Sequence, residues 1–194
     1  MENEVLGAYT WVARPEDLRR TVADLSHHAV LAVDTESNSL YAYQEQVCLI
    51  QFSTDQDDYL IDPLAIHDLS PIGPILGDPA IEKVFHAAEY DLICLKRDFG
   101  FQVRSLFDTM VACRILGREN VGLGSLLFEE FGLVIDKRYQ RANWGQRPLP
   151  PELLSYARLD THYLVALRDR LEAELKLRGR WELALEDFKR LFDD

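Results

Sequence analysis

Two carboxylates one residue apart close a short apolar run, Leu31-Ala-Val-Asp34-Thr-Glu36. On a β-strand the side chains of residues i and i+2 project to the same side, so Asp34 and Glu36 point together. Carboxylates held side by side repel, and burial penalises their charged forms further, so such a pair suits protonation chemistry or a bound cation. Taken alone, it also suits a strand end turning into a polar loop. Far downstream, Tyr156-Ala-Arg-Leu-Asp160 sets a phenol and a carboxylate four residues apart on one helical face, on the order of 6 Å apart along the axis. By itself this is an ordinary helix-surface pair. A further acid, Asp91, follows Lys83-Val-Phe-His86-Ala-Ala-Glu-Tyr, where a carboxylate in a helix's first turn would also satisfy the helix dipole.

The elements that must carry these residues can be read from periodicity. Residues 29–33 have the aliphatic, β-branched content of a strand covered on both faces. Before them, Arg14-Pro15-Glu16-Asp17 opens a helix with Leu18, Val22 and Leu25 at helical spacing, ending near His27 and His28. After them, apolar residues 47–52 and 59–61 flank a turn-rich stretch, a meander too tightly joined for helical crossovers. A weaker helix carries Leu69, Ile72, Ile75 and Leu76. Beyond Gly77-Asp78-Pro79, helix and strand alternate. A strand spans residues 83–86, a helix with Leu92, Ile93 and Leu95 inward ends at Gly100, and a fifth strand covers residues 103–107. Asp108 reads as the structural N-cap of the next helix. A short helix runs from Gly122 to Gly132, a long one from Pro150-Pro151-Glu152 to about Lys176, and a last one from Trp181 to Phe192. The expected architecture is a single α/β domain over residues 1–194, with a mixed five-stranded sheet, its first three strands antiparallel, and helices on both faces.

Composition bounds the function. Thirty-three acidic against 21 basic residues give a net charge of −12, which argues against wrapping long duplex nucleic acid but leaves room for a short local site. Cys48, Cys94 and Cys113 are odd in number and sit in apolar runs, so they read as core residues of a protein in a reducing, cytoplasmic setting. The N-terminus carries Glu2 and Glu4 without a basic leader, and no apolar stretch approaches the roughly 20 residues that span a bilayer. One segment departs from the acidic background: residues 137–151 contain no acid, and Lys137, Arg138, Arg141 and Arg147 are interleaved with Tyr139 and Trp144. Such a loop can hold phosphates and stack bases. Trp144 fits equally well as a residue packed under the following helix.

In order, spacing and setting these segments resemble the ribonuclease D branch of the 3′–5′ exonucleases, which has a ribonuclease H-like fold and a site of four acids and a tyrosine. The first motif is matched by Val33-Asp34-Thr35-Glu36 with Val47-Cys-Leu-Ile-Gln-Phe52, the second by residues 83–92, and the third by residues 156–160. Phe107-Asp108-Thr109 and Asn143-Trp144 through Arg147-Pro148-Leu149 are similar as well. A related branch has histidine five residues before the last acid; here that residue is Ser155.

The resemblance implies hydrolysis of single-stranded nucleic acid from its 3′ end to nucleoside 5′-monophosphates, with RNA favoured over single-stranded DNA. A non-catalytic scaffold on the same fold is the contrasting reading. It also implies two divalent ions, Mg2+ or Mn2+, roughly 4 Å apart, which together serve the attacking and leaving oxygens. Asp34, Glu36 and Asp160 would hold one ion, with Asp34 shared with the second and Asp91 reaching it. Tyr156 would orient the nucleophilic water, since a phenol of ordinary pKa near 10 is a poor base at neutral pH. Substrate contacts are expected from Thr35, Leu40, His86, Lys137, Arg141, Trp144 and Arg147, with His86 equally at home as a core residue. Without the accessory helical domains of that branch, grip on the strand would come from the basic loop, a second copy of the chain or another protein.

Overall fold

The computed structural model describes residues 6–193; Glu2, Glu4 and Asp194 lie outside them. Six strands form one mixed sheet: β1 (Thr10–Val12), β2 (Val30–Ser37), β3 (Val47–Ser53), β4 (Asp58–Ile61), β5 (Glu82–Phe85) and β6 (Leu106–Asp108), in the order β1-β4-β3-β2-β5-β6. The antiparallel meander is β2-β3-β4; β5 and β6 extend it in parallel beyond β2, and β1 lies parallel to β4 at the other edge. The sheet therefore has one strand more than the five expected. With three residues and a half-buried Trp11, β1 is too short to show alternation in sequence.

The β2 residues Leu31, Ala32 and Val33 are fully buried, and all seven residues of β3 are buried. Around the sheet pack α1 (Pro15–Leu25), α2 (Gly73–Gly77), α3 (Ala88–Phe99), α4 (Thr109–Ile115), α5 (Leu123–Phe131), α6 (Pro151–His162), α7 (Leu164–Leu177) and α8 (Trp181–Arg190). The single long helix expected after Pro151 is thus two. Tyr163, at φ −98° and ψ −3°, redirects the chain so that α6 covers β2, β3 and β4 while α7 covers β2 and β5. Neither glycine nor proline marks this bend, and apolar spacing runs on through it. A second correction concerns Ile93, which is 55% exposed: α3 buries Asp91, Cys94 and Leu95 instead, a face that leaves Ile93 toward solvent. Among the described residues no helix is long and apolar enough to cross a membrane, and all three cysteines are free and buried.

One residue fixes two helix starts at once. The chain enters α3 through Ala87 in the left-handed region at φ +60°, a conformation that costs a non-glycine residue about 1–2 kcal/mol. Asp108, 1% exposed, compensates by accepting from the Ala87 and Ala88 amides at 3.1 and 2.8 Å. It also caps α4 through the Met110 and Val111 amides at 2.9 and 3.2 Å. Since Asp91 lies in the first turn of α3, this carboxylate sets where that acid stands. Asp108→Ala is expected to cost about 3–5 kcal/mol in urea unfolding, against about 1 for an ordinary N-cap, because four buried amides lose their acceptor. A loss of about 1 kcal/mol would show that the α3 entry holds without it.

Candidate active site

Alternation along β2 sends Ala32, Asp34 and Glu36 to the sheet face covered by α6, and Thr35 to the opposite face, toward α3. Both helices are secured close to their acids. On α6, Arg158 donates to Asp58 of β4 at 3.1 and 2.5 Å, His162 Nδ1 lies 2.7 Å from the same carboxylate, and Thr161 Oγ1 lies 2.6 Å from Ser53 Oγ. Burial opposes ionisation of Asp58, yet hydrogen bonds from His162, Ser53 and Arg158 outweigh it and hold that carboxyl below its ordinary range. Three of the residues at and around position 160 thus clamp α6 to the sheet. On α3, Thr35 Oγ1 donates to Asp91 Oδ1 at 2.5 Å.

The result is a tight acid cluster. Carboxylate oxygens of Asp34, Glu36 and Asp160 lie within 4.8 Å of one another, and Asp91 is close enough for its charge to act on both Asp34 and Glu36. Burial, and then the charges of Asp91, Asp160 and Glu36, push Asp34 well above the usual carboxylate range; burial and Asp160 do the same to Glu36. Burial pushes Asp160 up to about 7 against hydrogen bonds shared with Glu36 and Asp34. It pushes Asp91 up to about 7 against the bond from Thr35. No lysine or arginine pairs with any of these four acids among the described residues, although Asp58, Asp62 and Glu45 nearby each have an arginine. The cluster is left for something other than a side-chain cation.

Tyr156, 6% exposed, faces the same acids: burial first, then Asp160, Glu36 and Asp34, raise its phenol far above the ordinary value, while Gln140 hydrogen-bonds to it. Its ring lies between Tyr139, at a centroid distance of 5.5 Å, and Trp144, at 6.3 Å. Glu36 and Asp91 open onto a cleft of about 160 Å³ also lined by Thr35, Leu40, Tyr90, Gln140 and Trp144, with Leu40 66% exposed. The segment from Asn38 to Gln46 is strapped across this opening. Tyr41 donates to the Arg141 carbonyl on one side, while Glu45 accepts from Ser37, Arg97 and the Tyr90 hydroxyl on the other.

The acid-free loop divides into two parts. Arg147 is an internal strut, bonded to Asp62, the Cys48 carbonyl at 2.6 Å and the Trp144 carbonyl at 2.6 Å, and Trp144 is 1% exposed. Trp144 packs in a cluster with Leu49, Leu60, Tyr156 and Ala157 and also lines the cleft, whereas Arg147 is held beside β3. Arg138 is taken by Asp136. Lys137 and Arg141 remain exposed. His86 is half-buried with Nδ1 2.8 Å from Thr109 Oγ1, and burial lowers its pKa, so its visible role is structural. Gln140 and Glu45 lay outside the motifs, and Tyr90, inside the second, was not singled out; Glu45 and Tyr90 meet across 45 residues, beyond any local period.

Residues 9–176 match the family described as 3′-5′ exonuclease. The chain belongs to that family. This exonuclease domain is 42% identical over 185 residues to Protein RRP6-like 3 of Arabidopsis thaliana, covering 95% of the chain and 20% of that relative. It superposes with a TM-score of 0.93 and 34% identity on the catalytic core of RRP6 from Trypanosoma brucei, covering 98% and 53% of the two chains. With Escherichia coli RNase D, an exoribonuclease involved in structured RNA processing, the values are 0.89, 31%, 95% and 50%. A Brucella melitensis NrnC structure with bound Mg2+ gives 0.77 and 27%, covering 87% and 84%. The exonuclease domain thus spans about a fifth of the curated relative and about half of the first two solved chains.

Crowded carboxyls have a signature in stability. In the unfolded chain Asp160 ionises near 4, whereas in the fold it keeps its proton to about 7, so between these values the unfolded state binds fewer protons and stability falls as pH rises. Asp160→Asn removes that loss. In EDTA the variant is expected to gain on the parent from pH 5 to pH 8 by about 1 kcal/mol or more, roughly 2–4 °C in Tm. A difference in Tm that stays constant with pH would refute the crowding.

Proposed function

We propose that the chain is a metal-dependent 3′-5′ exoribonuclease domain, and the observation that carries this is the unpaired cluster of Asp34, Glu36 and Asp160 beside Asp91. The donor set fits a hard divalent cation: every group is a carboxylate, three have oxygens within 4.8 Å of one another, and their raised pKa values are what a nearby dication relieves. Asp34, Glu36 and Asp160 would hold one Mg2+ or Mn2+, and Asp34 with Asp91 a second. When bound, such ions neutralise phosphodiester charge and make water a nucleophile at neutral pH.

The rest falls to the side chains. Tyr156 keeps its proton at Oη and donates a hydrogen bond to the incoming water, aimed by Gln140 and by the flanking rings of Tyr139 and Trp144. Thr35 fixes Asp91, leaving that carboxylate's other oxygen for its ligand. Leu40 rests against the terminal base, and Lys137 and Arg141 receive phosphates further along the strand. RNA is favoured because relatives of the same fold carry exoribonuclease names. Grip beyond this cleft comes from outside these residues, as from a second copy or an accessory protein, and the buried free thiols suit a reducing, cytoplasm-like compartment.

A single-stranded RNA labelled at its 5′ end, incubated with the protein in EDTA, Mg2+ or Mn2+, is expected to shorten one nucleotide at a time only with metal, and faster than the matched DNA. Asp34→Asn and Asp160→Asn are expected to fold and to reduce shortening to background. Turnover in EDTA, or in both variants, would overturn the assignment.

A further inference from the structure

Among the described residues, three buried side-chain polar atoms lack a hydrogen-bond partner: Nε2 and Oε1 of Gln51, and the indole nitrogen of Trp144. Gln51 is fully buried in the middle of β3. Leaving a buried amide unpaired costs about 1–3 kcal/mol, and an apolar residue would avoid that cost. The run around it, Val47-Cys-Leu-Ile-Gln-Phe52, is otherwise apolar, so the core itself gives no reason for a carboxamide.

The sheet register supplies one. Gln51 is paired directly with Asp34 on β2 and with Leu60 on β4. Residues paired in this way project to the same face with Cβ atoms about 4.5–5.5 Å apart, so Gln51 lies beside Asp34 under α6. Apart from Glu36, which lies diagonally across on β2, its other neighbours along the sheet are apolar or already bonded. Leu49 and Leu60 are apolar, and the buried Ala157 of α6 packs in the same cluster as both. Ser53, two residues along the strand, is committed to Asp58 and Thr161. Asp34 is the polar group that the register sets directly opposite Gln51.

We propose that Gln51 is a positioning residue of the cation site, whose Nε2 donates to the Asp34 carboxylate when that group binds a divalent ion and so fixes which oxygen faces the metal. Hydrogen bonds of this outer kind typically contribute 10–100-fold to metal affinity. The inference rests on the proposed cation site, and the test separates the two. Mn2+ binding to the full chain is followed by the loss of the free-ion paramagnetic resonance signal for the parent and for Gln51→Met, which keeps length and removes both polar atoms. Unfolding of the metal-free proteins is measured alongside.

The expected result is a variant at least as stable as the parent without metal, with a Kd for Mn2+ raised about 10–100-fold. Equal Mn2+ affinities would overturn the role of Gln51 and leave the cation site standing; a parent that binds no Mn2+ would overturn the site itself. Should Gln51→Met fail to fold, the parent decides alone. Its assigned Gln51 side-chain amide resonances are expected to shift on Mg2+ addition and to saturate with the bound ion, and unmoved resonances would overturn the proposal.

Discussion

Four carboxylates crowded into one half-buried cleft repel each other, and the surrounding fold is arranged to keep them together in spite of it. Repulsion alone would swing Asp160 away on α6 and Asp91 away on α3. The first movement is resisted by Arg158, Thr161 and His162, which lock α6 to Asp58 and Ser53 within two residues of the acid. The second is resisted from two sides: Thr35 grips the Asp91 carboxylate, and Asp108 holds the left-handed entry that sets the start of α3. Each brace is itself buried or half-buried, where a hydrogen bond to a charged group is worth more than at the surface.

The distribution of cations sharpens the point. Three arginines near the site are each spent on a different acid: Arg158 on Asp58, Arg147 on Asp62, Arg97 on Glu45. An arginine inside the cluster would have relieved the crowding and brought the pKa values down. No such arginine lies among the described residues, so the crowding is left for the dication of the proposed function to relieve. The contrast is with Asp58, a single buried carboxylate whose bonds to Arg158, His162 and Ser53 make a finished structural joint.

How much of this could be seen in sequence depended on the range of the interactions. Asp34 with Glu36, and Tyr156 with Asp160, were legible because strand and helix periods place them, and the meander because its turns are local. The bend at Tyr163 and the short edge strand β1 were not, since neither carries a glycine, a proline or a run long enough to show a period. The ties of Arg147 were hidden for another reason: composition showed a basic, aromatic stretch, but the partners that hold Arg147 lie 85 and 99 residues away. Gln51 resembles any buried strand residue until the register sets it opposite Asp34.

The two fates of the acid-free loop bear on how a chain of net charge −12 approaches a polyanion. Its lack of acids keeps local repulsion of phosphate low, but its internal arginine spends its charge holding Trp144 against Tyr156, which places positioning of the reactive end ahead of grip on the strand. In this loop only Lys137 and Arg141 keep exposed charge outside an ion pair, Arg138 being matched by Asp136, too few to hold a long strand by counterion release. The strap from Asn38 to Gln46 completes the same logic, because its ties to the Arg141 carbonyl and to Arg97 bound the cleft on both sides. Under the proposed function, a site built this way would select a free end by shape and leave the length of the strand to be held elsewhere.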